Sequence, residues 1–481
     1  MKKFFCCVCS AALMFFSVFG LVGCTSQDSG ASYTMSLEYV PSENKLYGKT
    51  EIGFRNETQN ALKELKFQLY PNAYREDAKE PPVSELYASF AYYDGESYGG
   101  VEITEVKGGD WRIAGEDCNI LCVTLPQPLY PDERTTVSLT FEVTLARINH
   151  RLGVGQRTVN LTYFYPVLCP CDENGFCEIS YSAIGDPFVS ECADYSVSFT
   201  FPSEYRVVSG MEGETETKNG HTVFSGSAKN VRDVSFVLGK ELKSVSAKQD
   251  GVAVEYWYLD DEDPQSVLEA ATKSLSCFSE KFGAYAYPRY VLVQTDFPYS
   301  GMETSSLTLL SAKLQKKEIP ALVAHETAHQ WWYAAVGSDQ SRCAWQDEGL
   351  AEYSTALFFE AYPEYENTYE QVVGRSESSY RAYCTIRSQL TGEVDTSMNR
   401  PLSDYSGEYE YRNLAYDKGV ILFDRVRSVL GDNRFFAALK QYYSAYSGKL
   451  ASWEQLVQCF SASGLDIEGI FLSFIDGTCV I

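Results

Sequence analysis

The apolar residues of this chain change period near residue 260, and no single layer of secondary structure accommodates both halves. From about Tyr33 to Leu242, short runs rich in β-branched and aromatic residues follow one another: KTEIGFRN, ELKFQLYP, TTVSLTFEVTL, CEISYSA, DYSVSFTFP and HTVFSGSAKNVRDVSFVLG. Turn-forming stretches such as EDAKEPP, DENG and EGETETKNG separate them, and no strong helical period intervenes. This is the pattern of an antiparallel β-saddle or sandwich. Beyond residue 260 the spacing becomes helical. DPQSVLEAATKSLSCFSEKFG opens on an acid and a proline and closes at Gly283, and RYVLVQTDF reads as a strand. IPALVAHETAHQWWYAAVG predicts a helix from Pro320 to near Gly337, DEGLAEYSTALFFEAYP a second, and the chain from YDKGVILFDRVRSVLG onward more helices. At 481 residues the chain exceeds one ordinary hydrophobic core. The expected organisation is an N-terminal β-domain over 33–242 and a helix-dominated α+β domain over 243–481.

The first residues read as a processing signal. Lys2 and Lys3 precede an apolar run from Phe4 to Phe19 that is short for a membrane span, and LVGC, Leu21–Cys24, resembles a bacterial lipobox. The resemblance implies a signal peptide over 1–23, lipid on the Cys24 thiol, and a flexible tether over 24–32. The protein is then expected outside the cytoplasmic membrane, held to it by the anchor. A formal charge of −25 argues against a nucleic-acid partner, which needs a basic face. Eleven cysteines follow Cys24, an odd number, so at least one stays outside any set of disulfides, and their pairing is not readable. Cys169, Cys171, Cys177 and Cys192 fit no common zinc-ribbon spacing, so disulfides or free thiols are expected there.

Two of the four histidines lie in VAHETAHQWW, Val323–Trp332. On a helix His325 and His329 share one face, so both imidazoles can aim at one point. Imidazole suits zinc, and a catalytic zinc takes three protein ligands while a water holds the fourth position. Glu326 can reach that water without binding the metal and serve as general base. Nineteen positions after His329 comes Glu348, in WQDEGLAEY, heading a second helix with Glu352 one turn on. A helix packed antiparallel to the first could deliver Glu348 as third ligand. One zinc per chain is expected, lowering the pKa of its water and polarising a substrate carbonyl.

These stretches resemble the gluzincin aminopeptidases, peptidase family M1, which remove N-terminal residues from peptides. The resemblance implies a thermolysin-like catalytic domain after the β-domain. SGMETSS, Ser300–Ser306, resembles the family's Gly-x-Met-Glu-Asn, with Ser300 in place of the first glycine and Thr304 in place of the asparagine. By that match Glu303 binds the substrate's free α-amino group, which is how such a site becomes an exopeptidase. YDKG, Tyr416–Gly419, resembles the family's Tyr-Glu-Lys-Gly, which implies that Tyr416 donates a hydrogen bond to the oxyanion. Among 35 tyrosines one alone says little, so the surrounding residues carry this inference. SAKNVRDVSFVLG, Ser227–Gly239, resembles the last strand of the family's β-domain and is expected to carry no chemistry. The region of the family's second amine-binding residue, YFYPVLCPCDENG, shows no match. The family's larger members continue into a helical domain that covers the site, so a more open cleft is expected here. The expected function is zinc-dependent removal of N-terminal residues from peptides with a free amine. A zinc endopeptidase or other hydrolase on this scaffold, or a non-catalytic peptide-binding lipoprotein, stay open. Neither oligomeric state nor the preferred side chain is legible.

Overall fold

The computed structural model describes residues 30–461 and 465–478. The expected signal peptide, Cys24 and Cys479 lie outside them. The expected tether over 24–32 gives way to a strand sooner than residue 33. Strand Ala31–Val40 already pairs at Ala31, with Phe54 on one side and Ala193 on the other. Its residues Tyr33, Met35, Leu37 and Tyr39 all point into the core, which fixes the register.

This strand lies in the middle of a seven-stranded sheet. The spatial order is Glu212–Lys218, His221–Val231, Ala193–Pro202, Ala31–Val40, Lys45–Arg55, Arg134–Thr144 and Gly100–Lys107. Neighbours are antiparallel except Ala31–Val40 against Ala193–Pro202. Two four-stranded sheets and a two-stranded one, Cys171–Asp172 with Gly175–Phe176, complete the β half, and one of the four-stranded sheets ends the domain with Phe236–Gly239.

Local expectations fail at three places in this half. EGETETKNG is not simply a turn: Glu212–Lys218 is a fully exposed outer strand, and only Asn219 and Gly220, both at positive φ, form the turn. Charges along such an edge discourage further pairing. CEISYSA forms no strand, because the Ile179 N–H donates to Gln68 Oε1 and the Ile179 carbonyl accepts from Gln68 Nε2 and Asn119 Nδ2. Side chains there take the place of a backbone ladder. A short helix, α1 (Glu85–Ala91), interrupts the strands.

From Lys243 the strands pair with one another. The order is Lys243–Gln249, Val252–Tyr258, Arg289–Thr295, Leu307–Ser311 and Gly301–Thr304, with the middle three parallel. Its strands Arg289–Thr295 and Leu307–Ser311 are buried on both faces, as parallel strands usually are. Val291, Val293, Leu307 and Leu309 join the core of the β-domain, while Tyr290, Leu292 and Leu310 join a core made with helices. Those helices are α2 (Pro264–Phe282), α3 (Ile319–His329), α4 (Ala344–Ala361), α5 (Tyr369–Thr391), α6 (Glu408–Tyr411), α7 (Lys418–Leu430), α8 (Asp432–Tyr446), α9 (Trp453–Phe460) and α10 (Ile467–Ile475). The α-helical part of α3 ends at His329, short of Gly337, and continues as a π-helical turn over Gln330–Ala335. A second π-helical turn, Arg412–Asp417, leads into α7. Such widened turns are frequent at functional sites.

The ten cysteines among the described residues are free, so no disulfide forms between them. Among the described residues no helix is long and apolar enough to cross a membrane.

Candidate metal and peptide site

Helix α3 holds His325 and His329 one turn apart, and their Nε2 atoms stand 3.1 Å from each other. Helix α4 packs against α3 and brings Glu348 Oε2 to 3.3 Å from His325 Nε2 and 3.4 Å from His329 Nε2. Glu348 sits in the second turn of α4 and does not head it, because the helix begins at Ala344. The outer nitrogens are held by carboxylates: His325 Nδ1 by Glu352 at 2.9 Å and His329 Nδ1 by Asp347 at 2.7 Å. A neutral imidazole that donates through Nδ1 presents a lone pair at Nε2. Glu348 Oε2 is buried and has no hydrogen-bond donor. Three lone-pair-bearing atoms therefore converge on one point, an arrangement that demands positive charge.

The electrostatics of the cluster agree. Burial opposes protonation of His325, but Glu348 and Glu352 outweigh it and push the imidazole up to about 9. Burial likewise opposes protonation of His329, which Asp347 and Glu303 raise well above the usual range. Glu348, despite burial, falls below the ordinary carboxylate range because both imidazoles lie close beside it. Two nitrogens, one carboxylate oxygen and two outer carboxylates fit a zinc ion. Glu303, His329 and Asp347 also offer ligand atoms within 4.8 Å of one another. His329 Nδ1 and the Gln340 amide already hold that second group by hydrogen bonds, so it supports the first and does not compete with it.

Glu326 is buried beside the cluster, and its Oε2 has no hydrogen-bond partner. Burial pushes its carboxyl up to about 7 against the pull of both imidazoles. Strand Gly301–Thr304 runs close by, and a Cβ at Gly301 would collide with the Glu326 carboxylate. That contact is why the second residue of SGMET has no side chain. Glu303, from the same strand, is 4 % exposed and its nearest donor is Gln340 Nε2 at 3.5 Å. Burial first, then the charge of Asp186, raises the Glu303 carboxyl well above its usual range. It is a carboxylate short of a cation.

Tyr416, in the π-helical turn before α7, stacks on the His325 ring with centroids 5.7 Å apart and faces the cleft. Its neighbour Tyr411 donates to Glu348 Oε1 at 3.4 Å. Two glycines set this crossing. Gly349 follows Glu348, Gly419 closes YDKG, and a Cβ on Gly419 would stand 2.5 Å from the Gly349 Cα. Helices α4 and α7 touch backbone to backbone there, which carries Tyr416 to the metal ligands. Lys418 points the other way, with Nζ donating to the Thr396 and Phe474 carbonyls and anchoring α10.

The structure brings His325, His329, Glu348, Glu326, Glu303 and Tyr416 into one site, and Cys24 lies outside the described residues. It adds residues that the motifs do not contain. Asp186, from the β-domain, lines the cleft, pairs with buried Arg151 at 2.7 Å, and follows Gly185, which packs against the Tyr411 hydroxyl. Its loop has no period or motif to mark it. Asp233 and Arg232 sit within SAKNVRDVSFVLG, a stretch expected to carry no chemistry, and their contacts are with the backbone and side chains behind the site. The stretch is two strands separated at Arg232–Ser235, and the break reaches into the catalytic domain. Asp233 accepts from the Ser305 N–H at 3.1 Å and from the Tyr333 hydroxyl at 2.8 Å, while Arg232 Nε donates to the Tyr333 carbonyl at 2.8 Å. Gln330, one residue after His329, accepts from the Ser306 N–H and donates to the Thr304 carbonyl. The backbone that follows Glu303 is thus held from both domains.

Residues 266–474 match the family model described as the peptidase family M1 domain. Aminopeptidase M1-B of Oryza sativa subsp. japonica is 28% identical over 286 residues, 55% of this chain and 32% of that protein. Aminopeptidase B of Homo sapiens is 24% identical over 364 residues, 67% of this chain and 49% of that protein. The chain thus spans between a third and a half of these relatives' length. Among solved structures, an M1 zinc metallopeptidase from Deinococcus radiodurans superposes with a TM-score of 0.66, 17% identity and coverage of 94% of this chain and 95% of that one. The two share their fold, a β-rich domain followed by a mixed α/β catalytic region.

Proposed function

Since residues 266–474 match the peptidase family M1 domain, we propose that this protein is a zinc aminopeptidase of that family that hydrolyses the first peptide bond of peptides with a free amine. The observation that carries the reading is the convergence of His325, His329 and Glu348 beside two buried, under-partnered carboxylates, Glu326 and Glu303. His325, His329 and Glu348 would hold the ion, which when bound supplies Lewis acidity at the scissile carbonyl.

The substrate's ammonium group supplies the positive charge that Glu303 lacks, with Asp186 as a second carboxylate from the β-domain. That fixes which bond lies over the cluster. Glu326 takes a proton from the attacking water and passes it to the leaving nitrogen as the C–N bond breaks. The Tyr416 hydroxyl donates to the oxygen that gains negative charge when the carbonyl is attacked.

Release of a fluorogenic amide from free aminoacyl substrates and from their N-acetyl twins tests this reading. Turnover of the free-amine set alone is expected. Equal cleavage of both sets would keep hydrolysis and remove the exopeptidase assignment. Stoichiometric binding without turnover would remove catalysis altogether.

The same proposal includes a lipid anchor at Cys24, supported by Lys2, Lys3, the apolar run and LVGC. It places the site at the outer face of the cytoplasmic membrane. Intact mass of the protein extracted from its native membrane should equal that of the chain from Cys24 with added acyl groups. An unmodified thiol at Cys24 would refute the anchor.

A further inference from the structure

The cleft beside the cluster encloses about 1590 Å³. Glu303, His329 and Glu348 lie buried beside it, backed by Gln340 and Asp347. The open wall of the cleft carries His325, Glu352, exposed residues of α5 and the turn that holds Tyr416. If the amine sits against Glu303, the part of the peptide released by cleavage runs out along this open side. What lines that side decides which leaving peptides fit.

Arg412 is the feature of that side that lacks a counterpart. It is exposed, lines the cleft, and begins the same π-helical turn that ends beyond Tyr416. Arg400 and Arg427 have carboxylate partners: Arg400 with Asp395 at 3.0 Å, and Arg427 with Glu360 and Asp432, each at 2.8 Å. Arg375, from α5, also lines the cleft and donates to Asn367 Oδ1 at 3.0 Å. The Arg412 guanidinium makes no hydrogen bond and no ion pair among the described residues, although the carboxylates of Glu352, Glu408 and Asp417 line the same cleft. Its charge is felt by Glu352 and Asp417 and, across the cleft, by the Tyr87 hydroxyl of α1. The Glu352 carboxylate is already committed to His325 Nδ1. In a chain of net charge −25, a guanidinium left unpaired on a cleft wall is a place for an anion.

We propose that Arg412 binds a carboxylate of the leaving part of the substrate. This rests on the aminopeptidase reading and adds a substrate class to it. The preferred substrates carry a negative group shortly after the cleaved bond, either the C-terminal carboxylate of a very short peptide or an acidic side chain.

The test compares kcat/KM for the tripeptide Ala-Ala-Ala with its C-terminal amide. It also compares longer amidated peptides carrying Glu or Gln just after the cleaved bond. Each pair is run with the full-length protein and with Arg412→Gln and Arg412→Lys. The wild-type protein is expected to favour the carboxylate member of at least one pair roughly tenfold. Arg412→Gln should bring that ratio close to one, and Arg412→Lys should restore part of it. Loss of the Arg412 charge also acts on Glu352, and through it on His325, but that affects both members of a pair and cancels in the ratio. A preference confined to the tripeptides identifies the C-terminal carboxylate as the ligand, and one confined to the Glu/Gln pair identifies the side chain. Ratios of one in the wild-type protein, or ratios that survive in Arg412→Gln, overturn the proposal while leaving the aminopeptidase reading intact. No turnover of any peptide overturns both.

Discussion

Replacing Glu326 with glutamine is expected to lower kcat by about a thousandfold while the protein keeps one zinc per chain. The two halves of that result have separate causes. Glu326 is not among the atoms that converge on the metal point, which are His325 Nε2, His329 Nε2 and Glu348 Oε2. An amide at 326 therefore leaves the ligand set whole. It is also isosteric, so it fits the close contact with Gly301 that any larger group would break. What it cannot do is accept a proton. The native carboxyl, pushed up to about 7 by burial, is tuned to do so near neutrality. Metal analysis and single-turnover kinetics on the same preparation separate the two. A variant that retains near-native kcat would show that another group is the base. A variant that loses its zinc would show that Glu326 belongs to the ligand set.

Glu348→Gln should have the opposite signature, with both metal and activity lost. The cluster attracts a cation because three lone pairs face one another with no donor between them, and Glu348 supplies the only full negative charge among the three. Removing that charge should weaken zinc binding by more than the roughly 10–100-fold that loss of an outer hydrogen-bond partner costs. After dialysis against a weak chelator, the native protein should hold about one zinc per chain and the variant close to none. A thermal readout does not depend on activity: zinc added to metal-free native protein should raise its Tm, because a ligand bound only by the folded state stabilises it. The variant should show little shift at the same zinc concentration. If Glu348→Gln holds zinc as the native protein does, the ion sits elsewhere, and the group Glu303, His329 and Asp347 becomes the first place to look.

The parts of this protein legible before folding are those governed by local spacing. His325 and His329 share a face because one helix carries both, and four residues make roughly one turn. The change near residue 260 shows in the period of the apolar residues, while the strands from Lys243 pair among themselves. Glu303 and Tyr416 are marked by neighbours, yet their motifs do not explain themselves. Gly301 is needed because Glu326 lies against it, and Gly419 because Gly349 does. Each of those contacts joins segments many residues apart.

Where local rules failed, long-range partners overrode them. CEISYSA has the composition of a strand, but Gln68 and Asn119 occupy the backbone groups a ladder would use. EGETETKNG has the composition of a loop, but His221–Val231 offers it a sheet edge. Asp186, Asp233 and Arg412 carry no signature in sequence because their meaning lies in what they face: a buried Glu303, the Ser305 backbone, and an open cleft.

By itself the sequence determined two domains of different period, one helix presenting two imidazoles with a carboxylate between them, and glycines where something must approach closely. Only the tertiary structure decided what approaches, which carboxylates orient each imidazole, how the β-domain reaches the strand of Glu303, and that Arg412 stands on the cleft wall. The reason is physical: helical and strand periods are set by a few neighbouring dihedrals, whereas those contacts depend on how distant segments share one buried volume.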